Sequence, residues 1–222
     1  QRVANRAADD ARFAATGSGI IAAPSANRFG HVSPTTAAHV RDEFGADVGP
    51  VIRLLDGGPC RVGIESTIVA VHADRVTLLR PGSIGRAALA AVAGVPVLAA
   101  AAAAVSDALP RAPGMLAAHY APRTPLRLVA AADLDAEIAQ RRATGAVLAV
   151  LAPRPDPVVP GVTWREAPVD AAGYAHDLYA NLRDLDAAGA AAILVATPPA
   201  GPDWVAVHDR LGRAEVGSAD GT

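Results

Sequence analysis

The sequence predicts an α/β protein built from two layered parts, on three observations. Short apolar runs alternate with helix-patterned stretches from the start of the chain to about residue 95. A segment with four prolines and no long period, residues 106–125, interrupts that rhythm. The same alternation then resumes to the end. The bulk numbers agree: 222 residues, 51% hydrophobic and 19% charged, describe a chain able to bury a core.

In the first part, the apolar run at 20–23 predicts a strand, followed at once by the polar turn PSANRFGHVSPTT. Ser33 predicts a helix N-cap, with Pro34 at the first helical position and Gly45 just past the end. The runs at 51–55, 64–71 and 76–79 predict strands, the last two joined by the short link 72–75. Residues 87–105 carry no charge, near the length of a membrane span, yet most are alanine and Gly94 and Pro96 break the run. Its first half predicts a short helix after Ser83, and its second half an alanine-rich connector or packed helix.

In the second part, strands are expected at 126–129, 146–151 and 191–196, and a helix at 133–142. Tyr174, Leu178, Leu182 and Leu185 recur at helical spacing, with Gly189 beyond them. This is a small Rossmann-like layered pattern, but it lacks G-x-G-x-x-G, so no dinucleotide is assigned. Tyr179 reads as core. The expected division is 1–105, the linker 106–125, a domain at 126–216 and a disordered tail at 217–222.

Composition excludes several chemistries. All 20 cationic residues are arginine, so neither a Schiff-base lysine nor a P-loop lysine exists here. The single cysteine, Cys60, cannot form an intrachain disulfide or a Cys-rich zinc site, and fits a reducing, cytoplasmic setting. The six histidines show no metal-ligand spacing. A net charge of −2 gives no signature of a dedicated nucleic-acid binder. Neither a secretory signal nor a membrane partner is expected.

Three clusters carry candidate chemistry. Ser25, Asn27, Gly30 and Ser33 form either an ordinary strand-to-helix turn or an anion cradle of hydroxyls and unpaired N–H groups. In DGGPCRVGIESTIV, Gly63 relaxes the backbone, and Ser66 and Thr67 are either edge decoration or ligand contacts. Glu65 is either a general base or, more economically, a solvated strand-end carboxylate. In LLRPG, Arg80 follows a strand and precedes a turn, the place where α/β sheets bind ligands. It either grips phosphate with two N–H groups or is solvated or ion-paired.

These clusters in this order, followed by APGMLAAHYAP, resemble the threonylcarbamoyl-AMP synthase family, the YrdC-like fold in its longer, two-domain form. The later stretches DLYANLRDLDAAGAAAILV and HDRLGRA are similar to the family's pattern as well. The resemblance implies a partial YrdC-like twisted α/β sheet domain followed by a small Rossmann-like domain. It implies a nucleotidyltransferase in which threonine's amine combines with bicarbonate or CO₂. The carbamate then attacks the α-phosphate of ATP, giving threonylcarbamoyl-AMP and pyrophosphate. Other proteins later move the group to tRNA.

By the same resemblance, Ser25, Ser33, Arg80 and Tyr120 contact ATP. The backbone of Ala23, Ser66 and, with one residue of excess spacing, Arg2 contact threonine. Asn27, Gly30, Gly63 and Thr67 support the loops. No residue is assigned as a protein nucleophile, because charge neutralisation and in-line positioning suffice. Mg²⁺ is expected to travel with ATP. The family's Lys/Arg phosphate motif finds no counterpart, so the chain is expected to be an incomplete fragment that binds ATP weakly without turnover. An exposed strand edge or apolar face is expected with it. Two other readings stand beside this one: an RNA- or nucleotide-binding remnant without catalysis, and a YrdC-like carbamoyltransferase, whose zinc fingers one cysteine cannot build.

Overall fold

The computed structural model describes residues 24–99, 116–154 and 159–219. The strand expected at 20–23, with Ala23, lies outside them, as does Arg2. The chain forms two compact units, Gln1–Arg28 with Ser33–Cys60 and Phe29–Val32 with Arg61–Thr222.

The first unit is organised by helix α1, Ala37–Phe44, and the 3₁₀ turn Gly45–Asp47. The cap is Thr36, not Ser33: its hydroxyl accepts from the His39 N–H, while Ser33 is buried three residues upstream. Gly45 ends the helix with φ 51°. Arg28 clamps α1 from outside. Its N–H donates to Glu43 Oε1 at 2.9 Å and its guanidinium lies 5.8 Å from the Phe44 ring. The strand expected at 51–55 does not form. Only Val48 and Ile52 pair, in an isolated bridge, and Val51 and Leu55 are exposed. An apolar run becomes a strand only when a neighbour takes up its backbone N–H and C=O groups.

The second unit holds two sheets. In the smaller, β1 (Ile68–Val71) pairs antiparallel with β2 (Val76–Arg80), which pairs parallel with β3 (Val97–Ala99). The link 72–75 is a tight turn closed by His72 N–H to the Arg75 carbonyl, 2.9 Å. The first strand starts at Ile68 rather than at 64, and residues 64–67 form an irregular segment. Helix α2, Arg86–Ala93, connects β2 to β3 and buries none of its residues. Its cap is Gly85, two residues after Ser83. Part of the expected alanine connector is therefore strand β3, because the parallel edge of β2 offers it a register.

The larger sheet is all parallel, in the order β4-β7-β5-β6: Leu126–Val129, Ala192–Ala196, Leu148–Ala152 and Val162–Glu166. Its two central strands are buried on both faces, hence their continuous apolar sequence. Helix α3, Leu134–Ala143, covers one face through Leu134 and Ile138. Helices α4, Ala171–Asp186, and α5, Val205–Ala219, cover the other through Leu178, Leu182, Leu185, Val207 and Leu211. The edge strand β6 was not expected. Nor was α5, which runs through the expected tail to Ala219: the Ser218 hydroxyl accepts from the Leu126 N–H at 2.9 Å and fixes its end.

Two features of α4 set the position of the site. Asp170 caps it, accepting the Gly173 N–H at 2.8 Å. Gly63, with φ 85°, lies against the backbone of Ala175 and His176, where a Cβ has no room. Asp170→Ala is therefore expected to cost about 1 kcal/mol, the usual price of a lost N-cap, measured by urea unfolding. Gly63→Ala is expected to cost more, roughly 2 kcal/mol or above, because positive φ and a backbone clash combine. An equal, small loss for both variants would contradict the close approach.

Candidate functional site

The three sequence clusters divide between the two units. Ser25, Asn27 and Ser33 belong to the first: Ser25 is exposed, Ser33 is buried, and Asn27 Nδ2 donates to the adjacent Arg28 carbonyl at 2.9 Å. Gly30, Gly63, Ser66, Thr67, Arg80 and Tyr120 belong to the second, and there they gather.

Arg80 stands at the end of β2 with 7% of its surface exposed. Its Nε donates to the Ser66 carbonyl at 3.1 Å and its Nη2 to Ser66 Oγ at 3.4 Å. Ser66 itself is exposed, so its hydroxyl faces solvent beside the guanidinium. Thr67 serves the next turn: its hydroxyl donates to the Ile84 carbonyl at 2.9 Å and accepts the Ile84 N–H at 3.2 Å. Gly82 presses on the backbone of residues 65–67 so closely that a Cβ there would overlap it.

Over this lies the strap 118–121. Ala121 N–H donates to the Gly30 carbonyl at 2.8 Å, and His31 and Ala121 form a parallel bridge. The Phe29 ring meets His119 edge-on at 5.9 Å. Tyr120 has φ 61°, a left-handed conformation found at no other non-glycine residue among those described. It is 1% exposed and stacks on Tyr179 at 5.6 Å, so its ring is committed to protein. Its hydroxyl has no hydrogen-bond partner of good geometry among the described residues, although Arg80 is near enough to favour its ionised form. Burial, aided by Glu65, nevertheless holds its pKa above the ordinary tyrosine value. Burial also lowers the His119 pKa. Glu65 opposes that shift, whereas Arg213, Arg210 and Arg80 add to it.

Beneath the strap is a group that sequence patterns did not assign. Arg210 on α5 is fully buried. Its Nε donates to Glu65 Oε2 at 2.9 Å, its Nη2 to the Pro81 carbonyl at 2.9 Å and its Nη1 to Asp209 at 2.5 Å, while its guanidinium lies 5.1 Å from the Tyr120 ring. Tyr179 donates to the same Glu65 oxygen at 2.7 Å. Glu65 is thus a paired, largely buried carboxylate, not the solvated one expected, and Tyr179 is both core and hydrogen-bond donor. The signal was present in VHDRLGRA: Val207, Arg210, Leu211 and Ala214 share one helix face, so an arginine sits in an apolar stripe.

Among the described residues no three or more His, Cys, Asp or Glu side chains gather where a metal ion would be held. Cys60 is exposed. The arrangement is suited to an anionic ligand: a permanent cation, a solvent-facing hydroxyl and a strained aromatic strap, set on a rigid base.

A family model described as the C-terminal domain of threonylcarbamoyl-AMP synthase matches residues 84–215, and one described as telomere recombination matches residues 2–82. The threonylcarbamoyl-AMP synthase of Bacillus subtilis is 41% identical over 108 residues, 49% of this chain and 30% of that protein. The protein of the same name from Schizosaccharomyces pombe is 30% identical over 213 residues, 87% of this chain and 52% of its own length. The crystal structure of Pyrococcus abyssi Sua5 complexed with L-threonine superposes with a TM-score of 0.74 at 27% identity, covering 88% of this chain and 57% of that one. The chain thus spans about half the length, or less, of these relatives. The order of clusters, the two-sheet architecture and the matched family model agree: the chain belongs to the threonylcarbamoyl-AMP synthase family.

Proposed function

We propose that this chain contributes the ATP and L-threonine contacts of a threonylcarbamoyl-AMP synthase. The observation that carries the reading is the pairing of Arg80 with Ser66, a permanent cation hydrogen-bonded to the hydroxyl of an exposed serine. The L-threonine named in the complex of the Pyrococcus abyssi relative supports threonine as the second substrate.

In this reading the threonine amine adds to CO₂, or to bicarbonate with loss of water, and gives a carbamate. A carbamate oxygen attacks the α-phosphorus of ATP, the bond to the bridging oxygen breaks, and pyrophosphate leaves. Arg80 and Tyr120 hold the nucleotide, and Ser66 holds threonine. Arg80 neutralises charge that builds on the phosphoryl oxygens, and its fixed fork needs no reorganisation as the reaction proceeds. Magnesium enters as part of the substrate, on the triphosphate. The product serves tRNA modification by separate transfer proteins in the cytoplasm. No helix among the described residues is long and apolar enough to cross a membrane.

Calorimetric titration of the 222-residue chain with ATP and with L-threonine tests the assignment. Weak binding of both is expected, with no threonine- and bicarbonate-dependent pyrophosphate release, since the chain spans only about half the length of the relatives it matches. Failure of either ligand to bind overturns the substrate assignment; turnover overturns the expectation of an incomplete site. Tyr120→Phe removes only the unpartnered hydroxyl. It should raise the ATP dissociation constant about three- to tenfold with little change in melting temperature. An unchanged constant would remove Tyr120 from the nucleotide contacts.

A further inference from the structure

We propose that Arg210 is a positioning residue for the site and that holding it in place is a task of helix α5. The inference rests on the ATP reading given above. Three segments of the second unit carry its proposed contacts, and Arg210 touches each one at or beside its contact residue. It binds Glu65, next to Ser66; the carbonyl of Pro81, next to Arg80; and the ring of Tyr120 itself. None of these residues is near it in sequence, so only the fold joins them.

A guanidinium is suited to the task because its donors point in fixed, divergent directions. Here two are spent on different segments and a third on Asp209, which also accepts from Arg213 at 2.8 Å. The Arg213 carbonyl in turn accepts the His119 N–H at 3.3 Å, so α5 grips the strap at a second point.

Close backbone approaches mark the same junctions independently. A Cβ on Gly217 of α5 would stand 2.9 Å from Ala121 Cβ and 3.3 Å from the His119 nitrogen. Gly82 presses on residues 65–67, and Gly63 on α4. The loop, the turn and the strap are therefore packed backbone to backbone around one buried cation. Loss of that cation frees all three together, and the geometry of Ser66, Arg80 and Tyr120 goes with them.

Hydrogen exchange read by mass spectrometry on the full chain tests this, comparing wild type with Arg210→Met, Arg210→Lys and the control Arg165→Met. Arg165 pairs with Asp184 at 2.9 Å on the surface. In Arg210→Met, exchange should quicken about tenfold or more in 64–67, 80–83 and 119–121 together, while 148–152 and 192–196 stay protected. If Arg210→Met also exposes the central strands, Arg210→Lys decides. It keeps the charge but not the fork, and should quicken the same three segments with the strands intact. No change in those segments, or change confined to α5, overturns the proposal.

ATP affinity, measured where the variant is folded, separates positioning from mere stabilisation. A rise in dissociation constant of about tenfold is expected for Arg210→Met and a smaller one for Arg210→Lys. Loosened segments with unchanged ATP affinity would also overturn it. Should wild type itself not bind ATP, the substrate reading falls, and the exchange result still decides whether Arg210 organises the three segments.

Discussion

A single buried guanidinium is the constraint around which the candidate site is arranged. Arg210 has no exposed surface, so each guanidinium nitrogen needs an acceptor inside the protein. Glu65, Asp209 and the Pro81 carbonyl supply them. A buried ion pair of this kind adds little net stability over an apolar packing of the same shape. Breaking one, however, strands a charge at a cost of about 3–5 kcal/mol. What the pair supplies is definition: the loop, the turn and the strap have one arrangement that satisfies the cation.

That arrangement needs a firm base, which the parallel sheet provides. Ala149, Val150 and Leu151 and their partners Ile193, Leu194 and Val195 are fully buried, sealed by helices on both faces. Helices α4 and α5 are fixed to that sheet by their apolar stripes. Tyr179 of α4 and Arg210 of α5 therefore arrive beneath Glu65 from a common platform. The strained Tyr120 backbone is held by stacking on Tyr179 and by the pairing of Ala121 with Gly30 and His31. Strain of this sort persists only where the surroundings over-determine it, as they do here.

The legible parts of the sequence were those where one local rule suffices. The runs at 148–152 and 192–196 are apolar because both faces are covered, and the stripe Tyr174–Leu178–Leu182–Leu185 is apolar because one face of α4 is. Arg80 at a strand end was legible for the same reason. The apolar run at 51–55 was misleading, since its side chains are exposed and its backbone makes one bridge. β3 was hidden in an alanine-rich stretch, and β6, VTWRE, has the mixed polarity of an edge. α5 carries Gly212 and Gly217, which lower its local helical signal, and Gly217 is there because the strap passes against it.

The amino-acid sequence by itself determined the α/β class, the covered central strands, the two strands joined at 72–75 and the clusters that carry the family resemblance, because periodicity, turn residues and motif spacing are local properties. Tertiary structure alone decided that Glu65 is paired rather than solvated, that Tyr120 is bent and buried, and that Arg210 lies beneath both. Those facts depend on which distant segments share one low-dielectric space, and a buried charge reveals its partners only once the chain has brought them within hydrogen-bond reach.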